Sequence, residues 1–191
     1  KEKQLILYRD RLGVKPLFYT VMENTLVFSS LIKGLFCYPE IKPKVDIQGL
    51  NEIFSLGPAR TEGCGVFKGI KEVLPGHMIV ASPKGVREIP YWQLVSGHHS
   101  SNYDQTLEKT RQLLFDSIKR QSTSDLPLCA FLSGGLDSSI VSAVCAKELQ
   151  AKGEVLRTFS FDFTDNNRFF LSNSFQPSQD RPFVEQMVKY L

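Results

Sequence analysis

Apolar and polar positions alternate between two regimes along this chain, with a polar break near residue 100. Leu5-Ile6-Leu7-Tyr8 is an apolar run of strand length and predicts a buried strand. Pro16 to Val21 and Thr25 to Ser30 are two further short runs. Met22-Glu23-Asn24 separates them, and Asn suits a turn, so the pair reads as a hairpin. Ser30 then stands where it could cap a short helix through Leu31, Ile32, Leu35 and Phe36, closed by Pro39 and Pro43. Asp46 reads as the N-cap of a second helix, with Leu50, Ile53 and Phe54 on one face and Gly57-Pro58 as its stop. Residues 57–69 hold four glycines and one proline and predict a long loop, which a compact domain keeps when the loop has a task. His77 to Ala81 and Glu88 to Gln93 predict two more strands.

Ser96-Gly97-His98-His99-Ser100-Ser101-Asn102 is small and polar and predicts a linker. Beyond it the period changes. Asp104 to Arg120 predicts a helix, on the spacing of Leu107, Leu114 and Ile118. Leu126 to Leu132 is nearly all apolar, the pattern of a strand covered on both faces of a parallel sheet. Ser138 to Lys152 predicts a helix with Ile140, Val141, Val144, Cys145 and Leu149 inward. Val155 to Phe163 predicts another buried strand, Asp165 to Gln179 a loop, and Arg181 to Leu191 a last helix. Helix, strand, helix, strand, helix is the order of a doubly wound α/β domain. No internal repeat is present.

Composition narrows the function classes. The 191 residues are 42% hydrophobic and 23% charged, which excludes a disordered chain. A net charge of +3, scattered along the chain, is too small for an electrostatic nucleic-acid grip. No run approaches the ~18 apolar residues of a membrane span, and no secretory signal is seen. The cysteines at 37, 64, 129 and 145 lack zinc-ligand spacing. Cys129 and Cys145 sit in apolar runs and read as buried core thiols. No disulfide framework is expected, in keeping with a cytoplasmic protein. The first residue is Lys, and the expectation is a piece of a longer protein.

The sharpest chemical signal is Ser133-Gly134-Gly135-Leu136-Asp137-Ser138-Ser139, between a predicted strand and a predicted helix. A helix N-terminus offers unpaired N–H groups and positive dipole, and so attracts anions. Two glycines let the backbone turn tightly and approach a phosphate. The three serines add hydroxyl donors, and Asp137 adds a carboxylate that makes sense beside phosphates when Mg²⁺ bridges them. The Walker, Rossmann and nucleophile-elbow spacings do not fit. What does fit is S-G-G-x-D-S, which resembles the pyrophosphate loop of ATP-pyrophosphatases. The bland alternative is a Gly-rich βα turn with Asp as a cap.

A second set of residues widens the resemblance. Arg9-Asp10-Arg11-Leu12-Gly13-Val14-Lys15-Pro16-Leu17-Phe18-Tyr19 resembles a signature of class II glutamine amidotransferase domains. Phe28-Ser29-Ser30-Leu31-Ile32-Lys33-Gly34-Leu35 is similar to the stretch that follows it, with Leu31 and Gly34 as departures. Phe67 to His77 and Tyr91-Trp92 continue the match. The whole order resembles the glutamine-hydrolysing asparagine synthetases. That resemblance implies an α/β chain with three parts. Residues 1–95 would be the C-terminal part of an α+β N-terminal-nucleophile amidotransferase domain, and 96–102 the linker. Residues 103–191 would be the start of a doubly wound parallel-sheet ATP-pyrophosphatase domain.

The resemblance also implies roles. Ser133, Gly134, Gly135, Leu136, Asp137, Ser138 and Ser139 would hold the triphosphate of ATP, and Asp137 would hold Mg²⁺. Leu132 and Phe161 fall where family members contact adenine. Phe161-Asp162 departs from a smaller aliphatic residue followed by Gly, and core packing of Phe161 is the alternative. Asp10 would hold the α-amino group of glutamine; a turn residue at a strand end is its alternative. The partners implied are small molecules (ATP, aspartate and glutamine), not nucleic acid or membrane, with pairing into a homodimer left open. The activity implied is ATP-dependent amidation of aspartate through an acyl-adenylate. A sister amidating or β-lactam-forming ligase and a non-catalytic nucleotide-fold module are the rivals.

No catalytic nucleophile is assigned. The amidotransferase cysteine lies at a mature N-terminus, and neither Cys37 on a predicted helix nor Cys64 in a loop fits that place. The segment alone is therefore expected not to hydrolyse glutamine. His77 reads as a turn residue, His98 and His99 as exposed linker residues, and Arg9, Arg11 and Lys15 as structural pairing rather than an anion site.

Overall fold

The computed structural model describes residues 3–57 and 59–191. Pro58, expected to help stop the second helix, lies outside the described residues. The chain divides into two compact units, Lys1–Gly97 and His98–Leu191.

The first unit runs β1 (Leu5–Tyr8), β2 (Phe18–Met22), β3 (Thr25–Ser29), α1 (Ile32–Leu35), α2 (Ile47–Leu56), β4 (Lys71–Glu72), β5 (His77–Ser82) and β6 (Gly85–Pro90). It forms two antiparallel sheets, ordered β1-β5-β6 and β3-β2-β4. β2 and β3 are the expected hairpin, and Glu23 takes the left-handed turn at φ 45°. Alternation along β2 explains the layering. Tyr19 points to one side and joins Leu7, Val73 and Ile79, which closes the two sheets on each other. Phe18 points to the other side and joins Leu35, Ile41 and Ile70, which seats α1.

Several details differ from the expectations. Within β1, Leu7 is buried while Leu5, Ile6 and Tyr8 are exposed: Ile6 and Tyr8 lie on the face away from the core, and Leu5 stands at the end of the strand. The N-cap of α1 is Leu31, not Ser30, and the Ser29 hydroxyl accepts the Leu31 N–H at 3.2 Å. Asp46 does cap α2, accepting from Gly49 N at 3.0 Å. The expected inward face of that helix, however, is exposed at Leu50, Ile53 and Phe54. α2 is held instead at buried Gly49, where a Cβ would collide with the Val66 carbonyl. β6 begins earlier than expected because the tight turn at Ser82–Gly85 pairs it immediately with β5.

The second unit runs α3 (Tyr103–Gln121), β7 (Cys129–Phe131), α4 (Leu136–Gln150), β8 (Arg157–Phe159), α5 (Asn166–Phe169) and α6 (Arg181–Tyr190). Residues 96–101 contain no helix or strand. Asn102 and Gln105 form a reciprocal capping box at the start of α3. β7 and β8 pair in parallel, with Phe131 opposite Phe159, and α4 makes the crossover. Ile118, Val144 and Cys145 form the core between α3 and α4.

β7 and β8 are shorter than expected and not buried on both faces: Phe131, Val155, Phe159, Phe161 and Phe163 are exposed, as is Cys129. A continuous apolar run is the pattern of a strand covered on both sides. Here the described sheet has two strands, and α3 and α4 supply the packed core. Cys145 is buried as expected. Among the described residues no helix is long and apolar enough to cross a membrane.

Candidate functional site

The second unit presents a cleft at the C-terminal ends of its two parallel strands, where open α/β sheets bind ligands. Leu132 follows β7 and keeps the ladder going by donating its N–H to the Phe159 carbonyl at 2.8 Å. It is 1% exposed, so the chain enters the loop from a fixed point. Gly134 then turns at φ +81°, and Gly135 stands at the N-cap of α4 with no side-chain cap. The first helical bond is Ser139 N to the Gly135 carbonyl at 3.0 Å. The N–H groups of the first turn are thus left for a ligand or solvent.

Ser138 organises this turn. Its hydroxyl donates to the Gly135 carbonyl at 3.1 Å, accepts the Ser133 N–H at 3.2 Å, and lies 3.0 Å from the Ser133 hydroxyl. Gly134 packs on α6. A Cβ there would come within 2.7 Å of Phe183 Cβ and 3.0 Å of both the Asp180 carbonyl and the Val184 nitrogen. The loop is therefore braced by a helix far along the chain.

The cleft has a volume of about 530 Å³ and is lined by Leu132, Ser133, Phe161, Asp162, Asp180 and Arg181, among others. It brings both predicted adenine residues together with the first residue of the loop. Phe161 is 82% exposed and meets Phe163 edge to face at 5.1 Å, so it is no core aromatic. Asp137 and Ser138 line a different depression of about 460 Å³, with Cys129, Val141 and Cys145. The loop thus divides two hollows, with Asp137 at the one under α3. Leu136 is exposed on the first turn. Among the described residues no group of three or more His, Cys, Asp or Glu is placed to hold a metal. One carboxylate still meets the need of Mg²⁺, which takes one or two from protein and the rest from phosphates and water. Asp162, Asp180, Arg181 and Glu185 join the lining, and no motif in the sequence points to them as a group. The departure at Phe161-Asp162 marks the first of them.

In the first unit, Asp10 closes the loop after β1. Its Oδ1 accepts from Leu12 N at 3.3 Å and Val14 N at 2.9 Å, and its Oδ2 accepts from Lys15 N at 2.9 Å. These bonds, led by those from Lys15 and Val14, hold its carboxyl below the ordinary carboxylate range. The turn role is thus filled by this side chain, and Oδ2 retains room for another donor. Arg9 is buried beside it and is structural. It donates to the carbonyls of Val73 at 2.6 Å, Gly13 at 3.1 Å and Lys15 at 3.3 Å, and pairs with Glu72 at 2.9 Å. Arg11 lies over the Trp92 ring. His77 shares a hydrogen bond with the Pro75 carbonyl at 2.8 Å, and His99 with the Thr106 hydroxyl at 2.6 Å.

A folded-state carboxyl below its unfolded value contributes stability that is full above the unfolded value and lost as pH falls through the folded one. Asp10→Asn is expected to lower thermal stability at neutral pH, since its amide would face the Lys15 N–H. The gap to the wild type is expected to close below about pH 4. Melting curves from neutral pH into acid check this, and a gap constant with pH would remove the ionised carboxylate from the argument.

Residues 1–92 match the glutamine amidotransferase domain family, and residues 109–191 match the asparagine synthase family. The chain is 44% identical to asparagine synthetase [glutamine-hydrolyzing] 3 of Bacillus subtilis, over 98% of this chain and 31% of that protein. It is 33% identical to asparagine synthetase [glutamine-hydrolyzing] 2 of the same organism, over 100% of this chain and 25% of that protein. It is 31% identical to amidase chyE of Penicillium rubens, over 87% of this chain and 25% of that protein. The chain spans between a quarter and a third of the length of these relatives.

Proposed function

Because this chain belongs to the glutamine-hydrolysing asparagine synthetase family, we propose that it carries the ATP-activating loop of an enzyme that amidates aspartate. The observation that carries the proposal is the uncapped start of α4 behind Gly134 and Gly135, at the mouth of a cleft that also holds Leu132 and Phe161. The aspartate β-carboxylate attacks the α-phosphate of ATP, and pyrophosphate leaves. Ammonia released from glutamine then displaces AMP.

Ser133, Gly134, Gly135, Leu136, Asp137, Ser138 and Ser139 bind the departing pyrophosphate. Fixed N–H donors stabilise charge as it grows on the β-phosphate, and they need no reorganisation at that moment. The Ser133–Ser138 hydroxyl pair keeps the loop in shape for this. Adenine lies against Leu132 and Phe161. Asp137 holds Mg²⁺, which when bound offsets the developing phosphate charge. In the first unit Asp10 orients glutamine through its α-amino group. Residues 1–95 and 103–191 act as parts of the two domains, joined through 96–102. The four free cysteines accord with a cytoplasmic setting.

The test is aspartate-dependent pyrophosphate release by the whole synthetase that contains this segment. Asp137→Ala is expected to lower it by roughly 100-fold or more, by the scale of lost electrostatic stabilisation at such sites. Glutamine hydrolysis in the same protein is expected to persist. Unchanged pyrophosphate release would remove Asp137 from the mechanism.

A further inference from the structure

Asp162 stands just past the C-terminal end of β8, next to Phe161, and lines the same cleft as Leu132 and Ser133. Its side chain is held in place. Oδ1 accepts from Phe163 N at 2.9 Å and from Asn166 Nδ2 at 2.8 Å. Asn166 is itself anchored, donating its backbone N–H to the Phe163 carbonyl at 3.2 Å and accepting from Gln179 Nε2 at 3.2 Å. Oδ2 has no hydrogen-bond partner among the described residues. The cleft therefore contains a fixed carboxylate with one committed oxygen and one open oxygen.

The charge of that carboxylate decides which part of a nucleotide it can face. It repels phosphate oxygens unless a cation lies between, and at Ser133 to Ser139 that place is given to Asp137, so Asp162 faces another part of the nucleotide. It is an acceptor without a proton to give, so it seeks donors. A ribose offers two adjacent hydroxyl donors. The place also fits: Asp162 lines the cleft beside Phe161, at the strand ends where open α/β sheets bind ligands. Resting on the reading that this cleft takes ATP, we propose that Asp162 binds the ribose hydroxyls and makes the site selective for ribonucleotides over deoxyribonucleotides.

The experiment is titration calorimetry of the protein with MgATP, Mg-2′-deoxyATP and Mg-3′-deoxyATP. ATP is expected to bind roughly tenfold or more tighter than at least one deoxy form, the scale of a hydrogen bond to a charged group. Asp162→Asn keeps an acceptor for the Phe163 N–H and removes the charge. It is expected to weaken ATP toward the deoxy level while leaving deoxyATP binding nearly unchanged. Equal binding of all three by the wild type, or discrimination that survives in Asp162→Asn, would overturn the ribose role and leave the nucleotide cleft standing. No ATP binding by the wild type would instead overturn the nucleotide reading itself, and this inference with it.

Discussion

Gly134→Val is expected to abolish pyrophosphate release and to destabilise the fold by about 2–4 kcal/mol, the combined scale of a strained backbone and an overpacked contact. Two independent features set this expectation. At φ +81° a β-branched residue is strained whatever space surrounds it. The space is also missing, because a Cβ would meet Phe183 Cβ at 2.7 Å and the backbone of Asp180 and Val184 at 3.0 Å. A side-chain tip could swing aside; the α6 backbone cannot without shifting the helix. Relief would come from moving the loop, which would carry Ser133 and the first turn of α4 out of place. Gly97→Ala is the control, since nothing lies within 4 Å of its Cβ position. Urea unfolding and a pyrophosphate assay read the two effects. A Gly134→Val protein with normal stability and normal pyrophosphate release would show that the loop needs neither the turn nor the brace.

Arg9→Met is expected to cost about 3–5 kcal/mol, the scale of breaking a buried ion pair from one side. The Arg9 and Glu72 side chains are 9% and 11% exposed, so water replaces little of the lost partner. Removing the guanidinium strands the Glu72 carboxylate and leaves the Val73 carbonyl without its 2.6 Å donor. Arg60 approaches Glu72 at 4.0 Å and is more exposed, so it compensates little. Arg9→Lys is expected to recover part of the stability, since a single ammonium cannot reach three carbonyls in the fork that arginine spans. Adding Glu72→Met to Arg9→Met is expected to restore more than Arg9→Lys, because no buried charge then remains. Chemical denaturation of the set measures this; a loss below about 1 kcal/mol for Arg9→Met would place the pair with ordinary surface bridges.

What could be read from the sequence was mostly local. The β2–β3 hairpin, the Asp46 cap, the long helix α3 and the loop before α4 each depend on residues a few positions apart. The capping box at Asn102 and Gln105 is legible too, as Asn followed three residues later by Gln, although the small polar residues before Asn102 make it look like the end of a linker. Contacts between distant segments were not legible. Nothing near Gly134 announces that α6 would press on it, and nothing near Arg9 announces Glu72. The apolar runs at β7 and β8 speak of strands with both faces covered, and pattern alone cannot say which faces this chain covers. At the site, the motif located the loop but not its division between two hollows, with Ser133 in the cleft and Asp137 in the other.

Attack at the α-phosphate by an aspartate oxygen is the central proposed step, and isotope tracing follows the atoms it moves. Aspartate labelled with ¹⁸O in its β-carboxylate is supplied with MgATP and glutamine to the whole synthetase. Expulsion of pyrophosphate followed by displacement of AMP leaves one carboxylate oxygen on AMP. The expected result is ¹⁸O in AMP and none in pyrophosphate. Asparagine formed with no label in AMP, or with label in inorganic phosphate and ADP as the nucleotide product, would contradict it.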